Sequence, residues 1–208
     1  MRLTSDNRAL SRAGTALFLK RWLKRPLGLG AVVPSGSALT GSMARAASAA
    51  PAGGWVVELG AGTGVVTAAL KSAGLVRRGR FVAVERDAEL VRFLRGQFPD
   101  LSVREGDAAR LPALLAADGV RTGDVGAVVS SLPLLSLPRG TVDGILRGVF
   151  GLLAPGGVFV QFTYGPKSPV APGYCEEFGL IASRGSRVWR NVPPAVVWSF
   201  RKTGPRAT

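Results

Sequence analysis

The chain has 208 residues, 47% hydrophobic and 19% charged, which suits one ordinary folded domain with a terminal arm and excludes a disordered polymer. It has no histidine and a single cysteine, Cys175, which excludes histidine-based metal sites, histidine general bases and any intramolecular disulfide, and no stretch reaches the roughly 18 unbroken apolar residues of a membrane span. A net charge of +14, with 22 arginines among 27 cations, favours a polyanionic partner, either nucleic acid or an anionic membrane surface.

Residues 1–25 read as a helical arm, and residues 26–54 as a Pro/Gly/Ser/Ala-rich connector with a helix near 35–49. From Trp55 the pattern alternates. WVVEL at 55–59 is a buried strand, followed by glycine punctuation and a helix at 64–73. RFVAVE at 80–85 is a second strand with a helix at 87–97, and 101–104 is a short third strand. DVGAVVS at 124–130 is the fourth, with a helix at about 140–153, and GVFVQFT at 157–163 the fifth. Residues 179–190 and 195–201 then read as two strands joined through Asn191–Pro194. Repeated strand–helix units predict an α/β, Rossmann-like sheet, mostly parallel, with ligands at the carboxyl ends of its strands. Residues 55–208 form the ligand-binding domain in this reading.

The strongest local signal is VVELGAGTG at 56–64. Gly60 and Gly62 make a turn that lets backbone approach a ligand, and Gly64 lets the following helix pack closely. Three acids follow the first three strands: Glu58 beside the glycines, Glu85 with Arg86 at the second strand's end, and Asp107 with Ala108 in REGDA at 104–108. An acid at the position of Glu85 accepts from ribose hydroxyls, a feature shared with nicotinamide-binding domains. The third acid has no counterpart there, and residue 65 is Val where that fingerprint wants Gly. Ser130-Ser131-Leu132-Pro133-Leu134-Leu135 makes a turn after the fourth strand.

These motifs resemble those of class I S-adenosylmethionine-dependent methyltransferases. The resemblance implies a seven-stranded, mostly parallel sheet with an antiparallel closing hairpin. It implies that Glu58, Gly60, Ala61, Gly62, Gly64, Glu85, Arg86, Asp107, Ala108 and Ser130 hold the cofactor, which leaves as S-adenosylhomocysteine. Within that pattern Glu58 faces the methionine amino group, and Asp107 the adenine amino group. The turn resembles the N-L-P-Y motif of amino-methyltransferases, in which Ser130 and the Leu132 backbone would hold an amine. Nucleic-acid members stack the extruded base on the motif's aromatic, a contact of roughly 1–3 kcal/mol, and the corresponding residue here is Leu134.

Further segments, FLKRWLKRPLGLGAVVPSG at 18–36, QFTYGPKSP at 161–169 and RVWRNVPPAVVW at 187–198, make the chain similar to soluble-type bacterial phosphatidylethanolamine N-methyltransferases, relatives of the rRNA adenine dimethylases. The family implies successive methylation of the phosphatidylethanolamine amine toward phosphatidylcholine, at the cytoplasmic face of the inner membrane. The alternative is methylation of an rRNA or DNA adenine, which the charge favours and Leu134 opposes. On a helical projection the arm gathers Phe18 and Trp22 with Leu19 and Leu23 on one arc, and Lys20, Arg21, Lys24 and Arg25 on the other, as an interfacial helix requires. A solvated basic face on a docked helix is the plainer reading.

A lipid ammonium must lose a proton before it attacks, and without histidine the acceptors are Tyr164, Glu58 or water. Tyr164 also suits a quaternary ammonium product by its aromatic face. Trp189 reads as strand packing, with an aromatic wall as the alternative. Arg187 and Arg190 are candidate phosphate contacts, and Asn191 either bonds the headgroup or shapes its loop. The expected partners are a phospholipid headgroup and an anionic membrane surface, with no nucleic acid and no metal.

Overall fold

The computed structural model describes residues 34–189 and 194–204. The arm assigned to residues 1–25, with Phe18, Lys20, Arg21, Trp22, Lys24 and Arg25, lies outside the described residues, as do the loop residues Arg190 and Asn191.

Seven strands form one sheet in the order β3-β2-β1-β4-β5-β7-β6. They are β1 (Trp55–Leu59), β2 (Phe81–Glu85), β3 (Ser102–Glu105), β4 (Val125–Ser130), β5 (Leu153–Thr163), β6 (Leu180–Val188) and β7 (Ala195–Lys202). The first five run parallel, and β7 pairs antiparallel with both β5 and β6. The expected mostly parallel sheet with an antiparallel closing hairpin is therefore the observed one.

Side chains alternate across each strand, so successive residues feed two cores. Val56, Phe81, Ala83, Val129 and Val160 face helices α1 (Pro34–Ala47), α2 (Val65–Ser72) and α3 (Ala88–Gln97), meeting Leu39, Met43, Leu70 and Leu94. Val57, Val82, Val84, Val128 and Phe159 face the other layer. There α4 (Leu111–Ala116) and α5 (Arg139–Leu152) supply Leu111, Leu115, Ile145 and Phe150. Strands buried on both faces explain the near-continuous apolar runs that identified them.

Three features depart from the sequence reading. The short helices α4 and α6 (Pro172–Phe178) were not expected, and β5 begins at Leu153, four residues before the expected 157. The register between β4 and β5 shifts between Val125 and Ala127, so Leu153 pairs with Val125 and the Pro155-Gly156-Gly157 run is absorbed as an irregularity. Among the described residues, no helix is long and apolar enough to cross a membrane.

Candidate active site

The carboxyl ends of β1, β2, β3 and β4 open into a cleft of about 660 Å³. Gly60, Glu85, Arg86, Asp107, Ala108 and Leu132 line it, all expected from the sequence. Asp87, Ser131 and Thr141 line it as well and were not singled out.

The glycine turn is held by the acid opposite. Gly62 N–H donates to Glu85 Oε2 at 3.0 Å, while Arg86 and Asp87 N–H groups donate to its Oε1 at 2.8 and 3.0 Å. Asp87 in turn caps α3, accepting from Glu89 and Leu90 N–H. Asp107 accepts from Ala109 N–H through Oδ1 at 2.9 Å. Gly60, at φ +71°, lies against Leu132, where a Cβ would come within 2.7 Å of Cδ2. Gly64, at φ +82°, caps α2 and lets it pack, since a Cβ there would strike Phe98 Cε2 at 2.5 Å.

Glu58, Ala61, Gly62, Gly64 and Ser130 lie under or behind this lining. Glu58 is wholly buried on the α2 face of β1 and accepts from Thr67 Oγ1 at 2.7 Å through Oε2, while its Oε1 has no partner. Burial pushes its pKa up to about 8, against the lowering effect of Thr67. Ser130, also fully buried, accepts from Leu132 N–H at 3.2 Å and so shapes the turn.

A second, smaller space of about 50 Å³ lies on the far side of that turn. Leu132, Pro133, Leu134, Gln161, Thr163 and Tyr164 border it. Leu132, Pro133 and Ser136 border both cavities, and this turn forms the partition between them. The Leu132 carbonyl, expected to hold an amine, already accepts from Gln161 Nε2 at 3.0 Å and from Leu134 N–H at 2.9 Å. Both of its lone pairs are therefore already used within the protein, and its side chain borders the cavities. Gln161 escaped the sequence reading, although a polar residue inside the apolar run GVFVQFT was the available signal.

Arg187 is set apart from both cavities. It lies with Arg45, Arg184 and Trp189 along an open groove between α1 and the β6–β7 hairpin. The register Thr163–Val196–Arg187 puts that part of the hairpin at the same sheet end as the cavities. Trp189 is 70% exposed, so it does not pack in the strand as expected, and the Arg187 guanidinium stacks over its ring at 4.9 Å.

Comparison with known proteins agrees with this geometry. A family model described as "Methyltransferase domain" matches residues 56–157. An ornithine lipid N-methyltransferase from Singulisphaera acidiphila is 35% identical over 159 residues, covering 72% of this chain and 78% of that protein. A ribosomal RNA small subunit methyltransferase A from Anaeromyxobacter dehalogenans is 36% identical over 160 residues, again 72% of this chain but 55% of the longer relative. Among solved structures, a Burkholderia thailandensis 1,6-didemethyltoxoflavin-N1-methyltransferase with bound 1,6-didemethyltoxoflavin and S-adenosylhomocysteine superposes with a TM-score of 0.62. It is 15% identical and covers 98% of this chain and 92% of that one, a likeness of fold.

Proposed function

Because the chain belongs to the S-adenosylmethionine-dependent methyltransferase family, we propose that it methylates the amine of a membrane lipid, namely phosphatidylethanolamine and its mono- and dimethyl forms, toward phosphatidylcholine. The observation that carries this reading is the turn after β4. Leu134, only 4% exposed, stands where base-methylating relatives carry a stacking aromatic. The space beside it, about 50 Å³, suits the tip of an aliphatic amine better than a purine. Similarity to an ornithine lipid N-methyltransferase supports the same substrate class.

The cleft fits the methyl donor. Glu85 suits the donor's ribose hydroxyls and Asp107 its adenine amino group. The positive φ of Gly60 and the missing Cβ keep the approach open. When bound, S-adenosylmethionine supplies a methyl group activated by its sulfonium. The protein's part is then to hold an amine in line across the Leu132–Pro133 partition, where orientation supplies much of the acceleration. Glu58 lines neither cavity, which leaves Tyr164 and solvent at the cavity mouth as routes for the amine's proton. The arm at residues 1–25 and the Arg187 groove provide basic surfaces for peripheral attachment at the inner face of the plasma membrane.

A second reading, methylation of an rRNA adenine, is favoured by the net charge of +14 and by the similarity to ribosomal RNA small subunit methyltransferase A. The two separate in one assay. Methyl-labelled donor is offered with phosphatidylethanolamine vesicles, ornithine-lipid vesicles, or unmodified small-subunit rRNA. Label in phosphatidylethanolamine is expected. Label in ornithine lipid alone moves the headgroup assignment, and label in RNA alone rejects the lipid reading.

A further inference from the structure

The chain carries 27 lysines and arginines, yet among the described residues none that lines the small space beyond the β4 turn is charged. Six of them are leucine, proline or phenylalanine, and the others are Ser136, Gln161, Thr163 and Tyr164. Two of those four have already committed their donors inside the protein. Gln161 Nε2 donates to Leu132 O and to Phe162 O, both at 3.0 Å, and Thr163 Oγ1 to Gly165 O at 2.8 Å. The arginines suited to a phosphate lie elsewhere. Arg45, Arg184 and Arg187 border the groove beside the hairpin, Arg86 borders the large cleft, and none of them borders the small space.

A phosphate entering such a space would shed its water and meet no cation in return, which makes entry unfavourable. The phosphate of phosphatidylethanolamine, two carbons from the nitrogen, therefore stays in water while the amine enters. The opening itself is aliphatic. Leu135 lines the space yet is 48% exposed, beside the buried Leu134, and Pro133 and Pro169 line it too. We infer that this protein recognises its acceptor as an amine on an aliphatic tail and does not read the linker between them, so that phosphate-free lipids with a primary amine are substrates alongside phosphatidylethanolamine. The inference rests on the lipid-amine reading above and widens it from one headgroup to a chemical class.

The transfer step is the same for every member of that class. The nitrogen lone pair forms the bond to the methyl carbon, the electron pair of the broken carbon–sulfur bond stays on sulfur, and the nitrogen's proton leaves to water. The linker takes no part. Discrimination between headgroups would need a group that touches the linker, whereas discrimination against tail-less amines needs only the apolar opening, because each buried methylene adds to binding.

The test uses the full chain with acceptors in nonionic detergent micelles, where attachment to a charged surface plays no part. The lipids are short-chain phosphatidylethanolamine, ornithine lipid and a primary-amine lipid with an uncharged ester linker. Ethanolamine and phosphoethanolamine serve as the tail-less amines. Values of kcat/KM for the three lipids are expected to agree within about fivefold, with the tail-less amines at least about a hundredfold poorer. Leu135→Ser, at an exposed position, should lower kcat/KM for all three lipids alike by about fivefold while S-adenosylhomocysteine affinity holds. A preference above about tenfold for phosphatidylethanolamine over both phosphate-free lipids overturns the inference and leaves the lipid reading standing. Phosphoethanolamine methylated as well as the lipids, or a Leu135→Ser loss confined to one headgroup, overturns it too. A chain that methylates none of the lipids overturns the lipid reading, and this inference with it.

Discussion

At the β3–β2–β1 end of the sheet, the chemistry-bearing groups are tied into the protein itself; at the β5–β7–β6 end, they project from an edge. Glu85 is braced by three backbone N–H groups and Glu58 is sealed beneath α2. By contrast, β6 is exposed along nearly its whole length, and Arg184 and Arg187 border an open groove. A part that binds one fixed ligand is built rigidly into the core, whereas a part that meets a surface needs charge and access more than constraint.

The contrast is broken most directly through the backbone. Gly64→Val places a β-branched side chain at φ +82° against Phe98, and should cost about 3 kcal/mol or more in urea unfolding, with donor binding lost alongside. A variant of wild-type stability would mean that the glycine turn is not the rigid element described here.

Glu58→Gln probes the same end electrostatically. The same variant should change the pH dependence of the unliganded protein. The folded-state pKa of Glu58, about 8, lies above the ordinary 4.5. Between those values the native state keeps a proton that the unfolded chain has released, so stability falls as pH rises from about 5 to about 9. Glu58→Gln has no such proton to lose. Its melting temperature should decline less over that range and exceed that of the wild type above the folded pKa. Parallel melting curves for the two proteins would count against a buried, reluctant carboxylate.

Asp107→Ala is a smaller step: donor affinity should drop about tenfold, and loss of the cap on Ala109 N–H should cost about 1 kcal/mol of stability. At the opposite end, Arg184→Ser with Arg187→Ser should leave stability within about 0.5 kcal/mol, because both side chains are exposed. Vesicle sedimentation at low salt should nevertheless weaken about tenfold, and the difference should vanish at high salt. If the double variant unfolds earlier but binds vesicles normally, the hairpin is structural and the proposed division of labour fails.

What could be read from sequence follows the same division. Strands buried on both faces announce themselves as apolar runs, and a turn that only glycine can make leaves a motif, so β1, β2 and the acids at their tips were legible. The helix LPALLA is too short to show a period and carries a proline in its first turn, and α6 spans only PGYCEEF. The burial of Glu58 was hidden because an acid next to glycines reads the same whether it faces a ligand or a helix such as α2. The doubly occupied carbonyl of Leu132 was hidden too, since its donor Gln161 lies 29 residues away. Pairings of that range exist only once β4 and β5 are side by side.

Leu132, packed against Gly60, borders both the large cleft and the small space beyond the turn. If the proposed division into donor and acceptor spaces holds, trimming or enlarging residue 132 would reset the gap between the reacting partners. Reach, as distinct from recognition, is thus adjustable at one aliphatic position, and that gives selection a simple dial for accommodating acceptors of different bulk on an unchanged frame.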